Sequence, residues 1–155
     1  MRFTLPILLG AIFIASFCPK APVDTVAPVL SSARLYYDDA AAFPDSTLEV
    51  VRDVTTWRDV WARATSMQPT PPARPAIDFS REMVILAAAG KMTPGDQIKV
   101  DSAGIRDDVF KIFVRTIVGC QRFPTDAYPF EIVSVPAADE PVDWVQSREE
   151  GASCR

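Results

Sequence analysis

From Met83 to Ala89 the chain runs through apolar and small residues without a polar break, then stops at Gly90 and turns at Thr93-Pro94-Gly95-Asp96. A run this short, bounded by turn residues, reads as a strand buried on both faces, because such a strand has no solvent side on which to alternate. A short buried helix is the competing reading, and the alanines favour it. Upstream, Asp78 and Ser80 supply a turn-and-cap signal. Pro94 presets a negative φ and Gly95 supplies the positive φ of a type II turn. Downstream the pattern alternates. Ile98 and Val100 share one face, with Lys99 and Asp101 on the other, and Gly104 with Asp107-Asp108 marks a turn. Over Val109 to Val118, Phe110, Ile112, Val114 and Thr116 face one way, and Lys111, Phe113, Arg115 and Ile117 the other. Phe130 to Val135 and Val142 to Val145 give two more short strands, their connection bracketed by Pro136 and Pro141. Before the central run, Arg34 to Tyr37 predicts a weak first strand and Leu48 to Val54 a β-branched second one.

The period changes at Thr56. Trp57, Val60, Trp61 and Ala64 fall at i, i+3, i+4 and i+7, which predicts a short amphipathic helix over about Thr56 to Thr65, with Thr56 as its cap and Asp59 as a weak capping-box acid. The two indoles read as core, because burying them contributes several kcal/mol to a small domain; a ligand-stacking platform is the alternative. The run Gln68 to Pro75 holds four prolines and cannot continue the helix. It reads as a stiff connector, with a proline-recognition ligand as the remote alternative. Short strands at regular spacing with one helix predict an α+β, mainly β domain, a small antiparallel β-sheet or sandwich.

The first eighteen residues are set apart. Arg2 precedes an apolar stretch from Leu5 to Phe17, the length of a signal peptide and short of the roughly 20 residues that span a bilayer. Ala15-Ser16-Phe17-Cys18 resembles a lipobox except that Phe17 stands where a small residue is usual. Cys18 is thus a candidate lipidation site, set against cleavage nearby with release, or an uncleaved leader. Acylation would anchor the chain without a transmembrane helix. Residues 19–33, carrying Pro19, Pro22 and Pro28, read as a flexible tether, and residues 34–155 as one domain. The expected location is exported: periplasmic, membrane-anchored or extracellular.

Composition narrows the chemistry. At 155 residues, with 48% apolar and 23% charged, the chain suits one folded core. Sixteen basic against twenty acidic residues leave a net charge of −4, which disfavours nucleic acid as a partner. Histidine is absent, and with it the Ser-His and Cys-His pairs and every histidine-containing metal site. No cofactor-binding loop, nucleophile elbow or metal motif is present in the sequence. With Cys18 lipidated or removed, Cys120 and Cys154 are left to pair in an oxidising compartment. Closing that loop of about 35 residues would stabilise by roughly 3 to 4 kcal/mol and hold the tail to the domain.

Read together, Trp57-x-x-x-Trp61, Ile77-Asp78-Phe79-Ser80-Arg81-Glu82, the glycine-ended apolar run, a Thr-x-Gly turn and Tyr128-Pro129-Phe130-x-Ile132-Val133-x-Val135-Pro136 resemble the C-terminal domain of the PrcB family, named for a protease complex subunit. The likeness covers roughly Leu48 to Val145. It implies an exported accessory protein, in the named case a lipoprotein associated with a surface protease and not known as an enzyme. The family tends to show Thr-Gly-Gly-Tyr at the turn; here stands Thr93-Pro94-Gly95-Asp96, so no contact of that tyrosine carries over.

The function expected is therefore a non-enzymatic accessory or protein-binding domain, assisting or binding an envelope or extracellular protease. Its candidate contact loop is Lys91, Met92, Thr93, Pro94, Gly95 and Asp96, beside Phe123 to Tyr128; the competing reading is that these loops only connect. A second class is protease inhibition, because Thr-x-Gly loops on small β-sandwiches are similar to those of chagasin-type cysteine protease inhibitors. An enzyme is the third. Asp78 with Glu82, or Asp107 with Asp108, would have to serve as a carboxylate pair, but Asp78 more naturally caps a turn.

Overall fold

The structure, a computed structural model, describes residues 32–121, 123–151 and Cys154. The leader, Cys18 and nearly all of the tether lie outside the described residues. Seven strands and one helix follow in the order β1 (Ala33–Asp38), β2 (Ser46–Val51), α1 (Val54–Ala64), β3 (Glu82–Ala89), β4 (Gln97–Arg106), β5 (Val109–Val118), β6 (Phe130–Pro136) and β7 (Val142–Glu150). They make an antiparallel four-stranded sheet, β1-β6-β3-β2, and a three-stranded sheet, β4-β5-β7.

The α+β, mainly β class holds, and the reason lies in β3. Its residues from Met83 to Ala88 are all buried, and they serve two cores in alternation. Val84, Leu86 and Ala88 pack with Trp57, Val60, Trp61 and Ala64 of α1. Met83, Ile85 and Ala87 pack against Ile98, Val100, Ile112 and Val114 of the second sheet. β6 repeats the division, with Phe130 and Ile132 under the helix and Val133 and Val135 between the sheets. The molecule therefore has three layers: helix, four-stranded sheet, three-stranded sheet. Two-sided burial is what a strand without polar alternation demands.

Both indoles are core. Trp57 and Trp61 are 1% and 7% exposed and meet edge to face at 5.3 Å between ring centroids. Each also holds the connector across the helix, Trp57 Nε1 donating to Pro75 O at 3.0 Å and Trp61 Nε1 to Pro72 O at 3.1 Å. Phe43, from the stretch between β1 and β2, fills the same core against Phe130.

Several details depart from the sequence reading: β2 stops at Val51 rather than Val54, and Gly104, read as part of a turn, lies within β4 opposite Lys111. The helix begins at Val54 rather than Thr56, and its N-cap is Asp53, whose Oδ1 accepts from Thr55 N and Thr56 N at 2.9 Å. Thr56 instead donates its hydroxyl to Asp53 Oδ2 at 2.7 Å. β7 reaches Glu150, beyond the predicted Val145, because its later residues ladder onto β5 although their side chains are exposed. Finally, β5 and β7 run parallel, not antiparallel. After β5 the chain crosses to the other sheet to form β6, then returns, and such a crossover delivers β7 in the direction of β5.

Candidate functional site

The stretch from Gly90 to Asp96 turns the corner from β3 in one sheet to β4 in the other. Gly90 has φ +74°, and a Cβ there would lie 2.7 Å from Ser46 N, so the corner needs glycine. Lys91 N donates to Pro44 O at 3.2 Å, and Met92 pairs with Ala127 through backbone bonds of 2.8 and 3.1 Å. The turn has the expected type II form: Asp96 N donates to Thr93 O at 3.0 Å and Gly95 has φ +93°.

Asp96 braces this turn from behind. Its residue is 4% exposed, Oδ2 accepts from Thr93 N at 3.1 Å and Oδ1 from Gly119 N at 2.7 Å. Of the six candidate residues, Asp96 therefore points inward and fixes shape, while Lys91 and Gly95 are exposed and Met92, Thr93 and Pro94 half-buried. Lys91 Nζ meets Asp126 Oδ2 at 2.8 Å, and that hydrogen bond, then the charge behind it, raises the ammonium pKa. Both partners are largely in solvent, so the pair stabilises little.

The bond to Gly119 brings the end of β5 against the turn. There Cys120 and Cys154 form the expected disulfide, with 5.0 Å between their Cα atoms. Beyond it, Phe123 stands 47% exposed. Pro94, Gly95, Gly119, Cys120, Gln121 and Phe123 line an open hollow of about 400 Å³. Nothing in the sequence marks Gly119, Cys120 and Gln121 as walls of a site except their place at a cysteine just after a strand end.

The carboxylate pairs occupy other places. Asp78 Oδ1 accepts from Ser80 Oγ at 2.6 Å and Ser80 N at 3.1 Å, and these bonds lower its pKa. Asp78, Arg81, Glu82 and Pro136 line a broad depression of about 560 Å³. Asp107 and Asp108, with φ 53° and 59°, are the two residues of the tight β4–β5 turn. Among the described residues no three His, Cys, Asp or Glu side chains gather as a metal site would require, and no helix is long and apolar enough to cross a membrane. Compared with known proteins, the chain matches no family model, no curated protein and no solved structure.

Proposed function

We propose that this chain is an exported, non-catalytic binding module whose contact surface is the Lys91–Asp96 corner together with the wall formed by Gly119, Cys120, Gln121 and Phe123. Its partner is an exported protein, and the PrcB likeness makes a protease the first candidate. The observation that carries this reading is the braced turn: the buried Asp96 carboxylate holds the backbone on both sides of a hollow beside which an aromatic ring stands exposed. A surface already fixed in shape loses less conformational freedom on binding, and exposed aromatics are common anchors of interfaces. Export rests on the apolar leader, and the disulfide suits an oxidising compartment. Acylation of Cys18 would tether the module to a membrane, cleavage near it would release the module, and an uncleaved leader would retain Cys18 unmodified; the mass of the mature N-terminus distinguishes the three.

The test is a comparative capture from an envelope fraction with the wild-type protein, a Phe123→Asp variant, and a Phe113→Asp control on the outer face of the three-stranded sheet. A partner retained by wild type and control but lost with Phe123→Asp supports the corner as the contact surface. Equal capture by all three removes it. Inhibition is the second reading, favoured by Thr93-Pro94-Gly95 forming a tight turn at a sheet-to-sheet corner. A papain-like enzyme left at full rate by micromolar protein ends that reading.

A further inference from the structure

The bridge from Cys120 to Cys154 closes a ring that contains β6 and β7, yet much of this ring is held by other means. β7 ladders onto β5 from Phe110↔Val142 to Val118↔Glu150. Gly151 N continues the contact by donating to Val118 O at 2.9 Å, and Arg115 Nη1 reaches Glu149 Oε1 at 2.8 Å. β6 lies inside the four-stranded sheet, with β1 on one side and β3 on the other. Residues 119–126 differ: those described run outside both ladders, with Gly119 N on Asp96 Oδ1 at one end and the Met92–Ala127 pairing just beyond the other. The sulfur bridge enters this irregular segment at Cys120, so its constraint falls mainly on the wall of the hollow.

The bridge is also reachable. Cys120 is exposed, and besides the hollow beside Pro94 it borders a second open one of about 290 Å³, lined by Val118, Gly119, Cys120, Glu150 and Cys154. We propose that Cys120–Cys154 is a site of thiol–disulfide exchange with a dithiol protein of the thioredoxin class, and that opening it loosens residues 119–127 while the layered fold persists. The donor's thiolate attacks one sulfur of the bridge, the other leaves as a thiolate, and a mixed disulfide forms. The donor's second thiol, deprotonated, then displaces the cysteine. The donor departs as a disulfide, and two electrons and two protons remain on Cys120 and Cys154 as thiols. This inference stands apart from what the hollow binds.

The experiment treats the folded, oxidised protein with thioredoxin, its reductase and NADPH, counts free thiols, and follows amide exchange. The expected result is two new thiols with exchange across residues 119–127 accelerated by at least about tenfold, while amides of β3 and β6 keep their protection. A Cys154→Ser variant should show the same local pattern without reductant. A bridge that resists thioredoxin in the folded protein overturns the proposal. So does exchange that rises equally in β3 and β6, exchange unchanged at 119–127, or a Cys154→Ser chain that cannot fold.

Discussion

Glu131 Oε2 accepts the backbone N–H of Val100 at 2.6 Å, so a carboxylate from the middle of one sheet closes an opening in the edge strand of the other. The register of β4 with β5 shifts between Val100 and Ser102, and among the described residues no strand pairs with β4 on its far side. Glu131 is 2% exposed, and its Oε1 also takes Arg34 Nε at 2.5 Å. Replacing Glu131 by Ala would leave a buried N–H unanswered, which costs about 2–3 kcal/mol. Glu131→Gln keeps an acceptor for Val100 and should cost about 1 kcal/mol, because Arg34 is well exposed and its ion pair is screened. Urea denaturation of the two variants checks the order. Equal, sub-kilocalorie losses would show that the tie contributes little.

The two positive-φ glycines of the corner should respond differently to alanine. At Gly90 (φ +74°) the new Cβ would meet Ser46 N at 2.7 Å and Asp45 C at 2.8 Å, both main-chain atoms that cannot move aside alone. At Gly95 (φ +93°) no atom of the described residues lies within 4 Å. Gly95→Ala therefore suffers only the backbone penalty, about 1–2 kcal/mol, whereas Gly90→Ala adds overlap and should lose more than about 3 kcal/mol or fail to fold. Denaturation midpoints compare them directly, and similar losses would contradict the packing at the β2–β3 junction.

What was legible beforehand follows from how far each signal reaches along the chain. The faces of β5 were legible because period-2 alternation is local, and Phe110, Ile112 and Val114 are indeed buried. The Thr93–Asp96 turn was legible because proline and glycine act on their own dihedrals. Asp53 as the cap was not, since the first helical turn, Val54–Thr56, carries no buried residue and so leaves no mark in the periodicity. Nor was the inward role of Asp96 or Glu131, because each carboxylate answers an N–H far away in sequence, at Gly119 and at Val100. The parallel β5–β7 pairing depends on which sheet β6 joins, which no local pattern records.

The β4–β5 turn can be improved. Asp107 and Asp108 both adopt left-handed φ, 53° and 59°, the conformation of a two-residue type I′ hairpin for which Asn-Gly is preferred. Each non-glycine residue there carries roughly 1–2 kcal/mol of steric strain. Asp108→Gly should therefore stabilise the protein by about 0.5–1 kcal/mol, net of the greater freedom glycine gives the unfolded chain. A melting temperature raised by about 2–4 °C is the expected readout. A fall would mean that the Asp108 side chain itself stabilises this turn.

The cap at Asp53 makes helix stability depend on acidity in a direction fixed by its hydrogen bonds. The bonds from Thr56 N and the Thr56 hydroxyl, and then from Thr55 N, favour the carboxylate and lower its pKa below the ordinary 3.8. The unfolded chain thus takes up a proton before the folded one does. The cap's charged contribution is fully present above 3.8 and is lost as pH falls through the lower, folded value. Asp53→Asn retains a neutral acceptor and removes this titration. The midpoint difference between wild type and Asp53→Asn should be constant near neutral pH and shrink as the solution is made more acid than 3.8, with Asp53→Ala the least stable of the three at pH 7. A difference that instead grows on acidification would place the helix start elsewhere than at Asp53.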